Sequence, residues 1–268
     1  MSEQQDTVLI TGASSGIGEA LASTCAQQGH NLILVARSTD KLETLAAELS
    51  REYPIDVVVR PCDLSIPGAP QKLCDALLAD GRQVDILINS AGVLEHGYFA
   101  ALPADDHQRM MQLNVVALTS MLTHLLPTMV ERGRGRILNV ASLGAFQPIP
   151  SLATYAATKA YVLSLSEALV EELRGTGVTV TTLCPGPTAT NMMVNAQRKS
   201  KALLNVPDAV VSDVNDVAHK AFRACMNGDA IVVTGTLNRI AGVLSRATPK
   251  WLIRRFTGIV GRATLTRS

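Results

Sequence analysis

Short apolar runs alternate with longer amphipathic segments along most of the chain, and this alternation constrains the fold more than any other feature. The apolar runs show little apolar–polar alternation, as expected for strands that are covered on both faces. The segments between them repeat apolar residues at helical spacing. Seven strands joined by six helical crossovers predict an α/β fold with a doubly wound, seven-stranded parallel sheet and helices on both faces. The predicted strands are residues 7–11, 32–37, 57–60, 85–89, 136–142, 178–184 and 230–234, and the predicted helices are residues 16–28, 40–52, 66–79, 104–132, 152–174 and 213–227.

The composition fits one domain with an aliphatic core. Of the 268 residues, 47% are hydrophobic but only 3% are aromatic, so the chain can bury a large core built mainly from aliphatic side chains. The formal net charge of +1 gives no global reason to expect a nucleic-acid partner. No repeat and no Ser/Gly/Pro-rich linker divides the sequence, which predicts a single domain over residues 1–238.

The five cysteines, at positions 25, 62, 74, 184 and 225, have neither Cys-x-x-Cys spacing nor a histidine at ligand spacing. This pattern predicts neither a zinc or other metal site nor a disulfide framework. Reduced thiols are typical of an intracellular protein. The polar N-terminus enters a strand directly, without a visible signal peptide, and no uninterrupted apolar run approaches membrane-spanning length. We therefore expect a cytoplasmic protein.

A glycine cluster, Thr11-Gly-Ala-Ser-Ser-Gly-Ile-Gly18, lies directly between the first predicted strand and the first predicted helix. Gly12 permits a tight turn, Gly16 lets the backbone approach a phosphate, and Gly18 lets the helix pack closely on the sheet. The free N–H groups and the partial positive charge of the helix N-terminus suit a pyrophosphate. A glycine cluster alone is often only a turn, but its position here predicts a dinucleotide site.

The ends of the next three strands supply further candidate cofactor contacts. Arg37 follows the second strand, where a site that prefers NAD usually has a carboxylate, and its guanidinium suits the 2′-phosphate of NADP. The alternative is a surface arginine at a strand end. Asp63 is placed to accept a hydrogen bond from the adenine amino group, or to cap the next helix, alone or through Ser65. The small residues of Asn89-Ser-Ala-Gly92 would let a cofactor lie across the carboxyl edge of the sheet.

Ser142, Tyr155 and Lys159 form the candidate catalytic group. Ser142 ends a predicted strand, a loop with two prolines follows, and Tyr155 and Lys159 lie four residues apart in a helical segment. That spacing puts the phenol and the ammonium on one helix face, about one turn apart. Together with the serine hydroxyl, these groups can move a proton on or off a carbonyl oxygen. Taken alone, the Tyr-x-x-x-Lys spacing also fits a buried tyrosine beside a solvated surface lysine.

These motifs together resemble the short-chain dehydrogenase/reductase family. The resemblance rests on TGASSGIG near the N-terminus, NSAG at 89–92, Asn114, Ser142, YAATK at 155–159 and PGPTAT at 185–190, in the family's order and spacing. It implies a Rossmann-type fold over residues 7 to about 235 and a catalytic tetrad of Asn114, Ser142, Tyr155 and Lys159. The implied cofactor contacts are Gly12, Ser14, Gly16, Ile17, Gly18, Arg37, Asp63, Leu64, Asn89, Ala91, Gly92, Tyr155 and Lys159, with Pro185, Gly186, Thr188 and Thr190 around the nicotinamide.

The chain departs from the family pattern in two places. Ser90 stands where a second asparagine is common. Many relatives end soon after the last strand, whereas this chain continues through residues 239–268, which contain seven basic residues and no acidic one. A basic amphipathic extension of this kind predicts peripheral contact with a membrane surface or with an acidic partner. The structural alternatives are a substrate lid and a contact with a second subunit.

We predict that Tyr155 donates a proton to the alkoxide that hydride transfer to a ketone leaves. Its ordinary pKa of about 10 is too high for a base near neutrality. The Lys159 ammonium and the positive nicotinamide ring of NADP⁺ are expected to lower that pKa. Ser142 would donate a hydrogen bond to the substrate oxygen. The resemblance implies that Asn114 holds a water that links Lys159 to solvent, whereas on its own Asn114 is simply a polar residue inside a helix.

The candidate substrate wall is apolar and has no cluster of basic residues for a sugar acid or a phosphate. It therefore predicts a hydrophobic ketone or alcohol, such as a lipid, steroid, terpenoid or acyl chain. Two adjacent methionines in it can adapt to irregular shapes. The alternative is that these side chains belong to the core. The wall consists of Leu94, Leu143, Phe146, Ile149, Met192, Met193 and the segment 194–212.

The leading functional prediction is an NADP(H)-dependent oxidoreductase that interconverts a carbonyl and a secondary alcohol. The alternative within this class is reduction of a 3-oxoacyl thioester on an acyl carrier, with Arg132, Arg134 and Arg174 either receiving the acidic carrier or ending helices in solvent. A protein that senses NADP(H) without catalysis is the alternative from another class, and the intact catalytic group argues against it. The helices 104–132 and 152–174 are long enough to pair with a second copy, as relatives commonly do. We expect a homodimer, with a homotetramer as the alternative.

Overall fold

Seven parallel strands form the centre of the structure, a computed structural model that describes residues 5–190 and 211–235. The strands are β1 (Thr7–Thr11), β2 (Asn31–Ala36), β3 (Val57–Pro61), β4 (Ile86–Asn89), β5 (Gly135–Val140), β6 (Val178–Cys184) and β7 (Ile231–Val233). They lie in the order β3-β2-β1-β4-β5-β6-β7, and every neighbouring pair is parallel. The predicted doubly wound, seven-stranded sheet is confirmed.

Helices cover both faces of this sheet because successive strand residues point to opposite sides. In β1, Val8 and Ile10 join the core on one face, which is covered by α1 (Gly16–Gln27), α2 (Thr39–Glu52) and α7 (Val214–Asn227). Leu9 joins the core on the other face, under α3 (Ala69–Ala79), α5 (Leu118–Glu131) and α6 (Ala153–Glu172). All three side chains are fully buried. A further helix, α4 (Ala104–Met111), precedes α5 in the chain.

The predicted helix 104–132 is interrupted, because a π-helical segment at Gln112–Ala117 separates α4 from α5. Such a segment inside a helix frequently marks a functional position. By length and composition, Ala104–Glu131 as a whole is long and apolar enough to cross a membrane. The sequence analysis expected no uninterrupted apolar run of that length. Its apolar residues Met121, Leu125 and Met129 are buried in the core on one face of the sheet, and 39% of the most apolar part of this helical stretch is buried.

The third helix starts later than predicted, and the predicted boundary at residue 238 lies outside the described residues. The third helix begins at Ala69, three residues later than expected, because Gly68 adopts a left-handed φ of 79° before it. The basic extension 239–268 lies outside the described residues. The division into a domain over residues 1–238 and this extension therefore stays a prediction.

The carboxyl ends of β1 and β4 form the point where the strand order reverses, and ligands of open α/β sheets bind there. Thr11 ties these ends together, since its Oγ1 accepts hydrogen bonds from the backbone nitrogens of Ser90 and Ala91, both at 3.1 Å. The backbone nitrogen of Gly12 donates to the carbonyl oxygen of Val35 at 2.8 Å. The loops that follow three adjacent strands are thus held at one place.

Candidate active site

A cavity of about 550 Å³ opens at this carboxyl edge of the sheet. Its volume is typical of a small-molecule or cofactor site. Of the predicted site residues, Gly18, Asn89 and Asn114 are absent from its lining. Those that line it are Gly12, Ser14, Gly16, Ile17, Arg37, Asp63, Leu64, Ala91, Gly92, Ser142, Tyr155, Lys159, Pro185, Gly186, Thr188 and Thr190.

The glycine-rich loop after β1 has the shape that a pyrophosphate needs. Gly12 and Gly16 have φ angles of 71° and 60°, which glycine adopts without strain. A Cβ on Gly12 would lie 2.8 Å from the Cα of Ala91, and one on Gly18 would overlap the carbonyl oxygen of Gly12. Ser15 precedes α1 and makes no side-chain cap hydrogen bond, so the first N–H groups of this helix remain available to a ligand. This cradle fits a dinucleotide phosphate.

Arg37 and Asp63 lie on the rim of the cavity, after β2 and near the end of β3. Asp63 Oδ1 accepts hydrogen bonds from the backbone nitrogen and the Oγ of Ser65, at 3.0 and 2.6 Å. Asp63 does not cap α3, whose N-cap is Gly68, so the helix-cap alternative is wrong. Burial works against ionisation of Asp63, but the Ser65 hydrogen bonds and the charge of Arg37 hold its pKa below the ordinary value. Asp63 is therefore a charged acceptor on the rim.

Asn89 is buried and belongs to the scaffold behind the cavity lining. Its Nδ2 donates to Asn139 Oδ1 at 2.9 Å, and Asn139 Nδ2 donates to Ser166 Oγ at 2.9 Å. Ser166 in turn donates to the carbonyl oxygen of Val162 at 2.7 Å. This chain of hydrogen bonds joins β4 and β5 to α6. The structure gives Asn89 this supporting role, while its predicted contact with the cofactor stays a prediction.

Ser142 and Tyr155 meet on the wall of the cavity. Ser142 lies two residues after β5, and its Oγ accepts a hydrogen bond from the backbone nitrogen of Gly144 at 3.1 Å, which caps the short 3₁₀ helix Leu143–Phe146. Tyr155 lies in the first turn of α6. Both residues line the cavity, and the Ser142 hydroxyl lies close enough to the Tyr155 phenol to lower its pKa. The two hydroxyl groups of this pair can therefore contact the same substrate oxygen.

The pKa of the Tyr155 phenol shifts in the direction opposite to the prediction. Burial raises it, and the nearby Ser142 hydroxyl offsets only part of the rise. Lys159 Nζ lies 5.9 Å from the centre of the Tyr155 ring and donates to the carbonyl oxygen of Val140 at 2.8 Å. The predicted lowering of this pKa by the positive ring of an oxidised cofactor stays a prediction.

Lys159 is almost completely buried, with 5% of its surface exposed. Burial lowers the pKa of Lys159 to about 8, although the neighbouring Cys184 opposes this shift. The alternative of a solvated surface lysine is therefore wrong. Near neutral pH the amine lies close enough to its pKa to release and regain a proton, which is a property typical of functional sites.

Asn114 lies in the π-helical segment Gln112–Ala117 and fixes the backbone beside Lys159. Its Oδ1 accepts from the backbone nitrogen of Val93, and its Nδ2 donates to the carbonyl oxygen of Val93, both at 2.9 Å. Its Nδ2 also donates to Thr158 Oγ1 at 3.1 Å. A Cβ on Gly92 would lie 3.2 Å from Asn114 Oδ1 and 3.5 Å from Lys159 Nζ. The side chain of Asn114 is thus engaged with protein groups, and its predicted water contact stays a prediction.

The segment after β6 encloses the cavity from the Ser142 side to the glycine-rich loop. The backbone nitrogen of Leu143 donates to the carbonyl oxygen of Pro185 at 2.9 Å. Thr188 Oγ1 donates to the carbonyl oxygen of Gly186 at 2.9 Å. A Cβ on Gly16 would lie 3.2 Å from a Thr190 methyl group, so the segment reaches the phosphate cradle. The predicted contact of Pro185, Gly186, Thr188 and Thr190 with the nicotinamide stays a prediction.

The substrate side of the cavity is mainly apolar. Phe146, one of the predicted wall residues, does not line it and packs against the core under α6, as the core alternative proposed. Other predicted wall residues, namely Met192, Met193 and 194–210, lie outside the described residues. Leu94, Leu143 and Ile149 line the cavity as predicted, and the structure adds Leu113 and Leu152.

Sequence reasoning missed two threonines and a glutamine at this site. Thr11 connects the strand ends, and Thr158 accepts the hydrogen bond from Asn114. Thr158 also donates to the carbonyl oxygen of Tyr155 at 2.7 Å, as many helical threonines bond to the preceding turn, so nothing in the sequence singles it out. Gln147 places an amide on the otherwise apolar side of the cavity, and only the loop geometry shows this.

The three arginines considered for an acyl carrier do not form a patch at the site. Arg134 precedes β5 at the opposite, amino edge of the sheet and pairs with Asp6. Arg132 donates to the carbonyl oxygen of Val84 at 2.8 Å. Arg174 follows the C-terminus of α6, roughly 28 Å along the helix from Tyr155, and pairs with Glu171. The contact of these residues with an acidic carrier stays a prediction.

A doubly wound sheet with a bare glycine-rich loop and a Ser–Tyr–Lys group at its carboxyl edge defines a nicotinamide-dependent oxidoreductase. The short chain dehydrogenase family model matches residues 6–201, so the chain belongs to that family.

Relatives of known sequence and structure agree with this assignment. An uncharacterised oxidoreductase of Staphylococcus epidermidis is 32% identical over 219 residues, which cover 81% of this chain and 94% of the relative. A very-long-chain 3-oxoacyl-CoA reductase of Phaeosphaeria nodorum is 41% identical over 179 residues, which cover 64% of this chain and 52% of the relative. The structure of a short-chain dehydrogenase from Sphingobium yanoikuyae in complex with NADPH superposes with a TM-score of 0.80 at 31% identity, covering 98% of this chain and 97% of that one.

Proposed function

We propose that the protein is an NADP(H)-dependent oxidoreductase that interconverts a carbonyl and a secondary alcohol on a hydrophobic substrate. The observation that carries this proposal is the pair Ser142–Tyr155, which lines the wall of one cavity. One end of that cavity is a phosphate cradle, and the side next to the pair is lined by leucines and Ile149. A bound cofactor and an apolar ketone would therefore lie next to each other in the cavity, beside the Ser142 hydroxyl and the Tyr155 phenol.

In this proposal, Ser142 orients the substrate oxygen and Tyr155 transfers the proton. Bound NADP(H) supplies or accepts the hydride. Ser142 donates a hydrogen bond to the substrate oxygen and holds it beside the phenol. Tyr155 gives its proton to that oxygen as charge develops on it during reduction, and takes the proton back during oxidation. Because burial raises the pKa of Tyr155, the phenol is held in the protonated form that reduction needs.

Arg37 supports the preference for NADP(H). Its guanidinium is exposed on the rim directly after β2, where a 2′-phosphate would lie, and no carboxylate stands in that position. The related structure from Sphingobium yanoikuyae contains NADPH. A planar guanidinium can hold a phosphate with two parallel hydrogen bonds.

Replacing Arg37 tests this preference. We expect Arg37→Gln to lower kcat/KM for NADPH by about 10- to 100-fold, since a hydrogen bond to a charged group contributes about 1.5–3 kcal/mol. Activity with NADH should change little. The matched control is Arg51→Gln, an exposed arginine on α2 that does not line the cavity. Equal losses with both cofactors, or in both variants, would contradict the role of Arg37.

The proposed function itself is tested by following NADPH oxidation with ketones graded in apolar length. Turnover that increases with apolar length and requires a carbonyl supports it. Tight binding of NADPH without turnover of any carbonyl in the series would contradict it and favour the cofactor-sensing alternative.

A second candidate function is reduction of a 3-oxoacyl thioester. The observation in its favour is the 41% identity with a very-long-chain 3-oxoacyl-CoA reductase. Such a substrate also has a long apolar chain, which the leucine-lined side of the cavity would suit. Because Arg132, Arg134 and Arg174 are remote from the cavity, we propose coenzyme A rather than a protein as the carrier to test. Preference for 3-oxoacyl-CoA over simple ketones of equal length distinguishes this candidate.

We also propose a homodimer formed through α5, α6 and the π-helical segment between α4 and α5. Val116 in this segment and Tyr161 on α6 are 47% and 40% exposed, and the helices are joined where Tyr161 contacts Thr119. Exposed apolar side chains on adjacent helices are typical of interfaces.

We expect Val116→Arg to halve the mass measured by light scattering, whereas Leu78→Arg, at an equally exposed apolar residue on α3, should leave it unchanged. A monomeric unmodified protein would contradict this proposal.

A further inference from the structure

Ser151 has an unusual backbone in the loop that leads into α6. Its φ is +68°, and it is the sole non-glycine residue with a positive φ among residues 5–190 and 211–235. Residues held in this region of conformational space persist when their surroundings enforce it, and they cluster at functional sites. The loop carries Ile149 and Leu152 onto the apolar side of the cavity, one on each side of Ser151. The contacts that hold Ser151 therefore also position Ile149 and Leu152 on the cavity wall.

Two hydrogen bonds hold Ser151, and both come from the loop after β4. The backbone nitrogen of Gly97 donates to the carbonyl oxygen of Ser151 at 2.9 Å. The Nε2 of His96 lies 2.9 Å from Ser151 Oγ. Burial lowers the pKa of His96, so at pH 7 its ring is neutral and needs no counter-charge in this contact.

The loop after β4 is itself anchored. Glu95, which precedes His96, is 8% exposed and pairs with Arg109 on α4 at 2.6 Å. The contact between His96 and Ser151 therefore connects a fixed loop to the loop that forms the cavity wall. Neither residue lines the cavity, so each acts on a substrate only through Ile149 and Leu152.

We propose that His96 and Ser151 form a clasp that positions Ile149 and Leu152 and thereby sets the affinity for bulky substrates. His96 and Ser151 are positioning residues. The proposal rests on the function proposed above, since it concerns the substrate of that reaction. Without the clasp, Ile149 and Leu152 are no longer held in position, and binding of a bulky substrate that contacts them becomes weaker. Ser142 and Tyr155 stay in place.

The test compares variants that remove or keep the clasp. We expect His96→Ala and Ser151→Ala each to raise KM for a bulky ketone by about 3- to 10-fold, the effect of one lost hydrogen bond, with kcat and the Kd of NADPH nearly unchanged. His96→Gln keeps an amide near the position of Nε2 and should restore KM. The double variant should be no worse than either single variant, because both remove the same contact.

His107→Ala is the matched control. His107 also joins these two parts of the chain, through Thr154 Oγ1 at 2.7 Å and the carbonyl oxygen of Phe99 at 3.1 Å, but none of these residues lines the cavity. An equal rise in KM for this variant, or no recovery with His96→Gln, would overturn the proposal.

Amide hydrogen exchange gives a readout that does not need a substrate. Peptides that contain Gly97 and residues 147–152 should exchange faster in His96→Ala and Ser151→Ala but not in His107→Ala. Unchanged exchange overturns the clasp. If the unmodified protein binds NADPH but reduces no ketone, the proposed function has failed, and the exchange result alone then decides whether the clasp exists.

Discussion

Tyr155→Phe is expected to reduce turnover by about 10²- to 10⁴-fold, the usual contribution of a positioned proton donor. The loss corresponds to about 3–5 kcal/mol of transition-state stabilisation. The physical reason is that phenylalanine keeps the ring and its packing in the cavity wall but removes the hydroxyl, which is the proposed proton donor. Without it, the carbonyl oxygen, which becomes an alkoxide when the carbonyl carbon receives the hydride, has no adjacent acid. The measurement is kcat with saturating NADPH and ketone, together with the Kd of NADPH, which should not change.

The matched control is Tyr161→Phe, on the same helix two turns further on. Tyr161 is 40% exposed, and its hydroxyl contacts Thr119 rather than the cavity. We expect its turnover to stay within about twofold of the unmodified protein, as for most surface substitutions. Retention of more than a few per cent of turnover by a folded Tyr155→Phe that binds NADPH would rule out the proton-donor role.

Lys159→Met is expected to change how the stability depends on pH. The pKa of Lys159 is lowered from 10.5 to about 8 by burial, so the folded protein binds this proton less tightly than the unfolded chain does. Below pH 8 the buried charge costs about 3 kcal/mol of stability. Between pH 8 and 10.5 the folded state is neutral while the unfolded chain still holds the proton, so this cost disappears as the pH rises.

The free energy of unfolding of the unmodified protein should therefore increase relative to that of Lys159→Met by up to about 3 kcal/mol from pH 8 to 10.5. The carbonyl oxygen of Val140 loses its donor in the variant, but this affects the difference equally at every pH. Denaturant unfolding of both proteins at several pH values measures the effect. Lys220→Met, at a lysine that is 52% exposed, serves as the control. A difference that does not vary with pH would contradict the burial of a titrating amine.

Much of the fold and of the site was open to prediction because the signals are local. Strand and helix periods, the glycines at 12, 16 and 18, and the four-residue spacing of Tyr155 and Lys159 depend on neighbouring residues only. Parallel strands bring their carboxyl ends to one edge, so motifs at strand ends must meet there. This is why most of the predicted residues line one cavity.

Other features depend on groups that are distant in the sequence, and here the prediction failed or said nothing. The pKa direction of Tyr155 follows from its burial in the folded protein, which no local signal in the sequence gives. Phe146, predicted for the cavity wall, packs in the core, whereas Leu152, which was not predicted, lines the cavity.

The sequence by itself determined the fold class, the glycine-rich turn before the first helix and the candidate catalytic group, since backbone propensity and residue type decide these. Only the tertiary structure decided burial and hydrogen-bond partners, such as the pairing of Arg134 with Asp6. Desolvation and pairing are properties of a packed environment assembled from many elements, and no single stretch of the chain contains them.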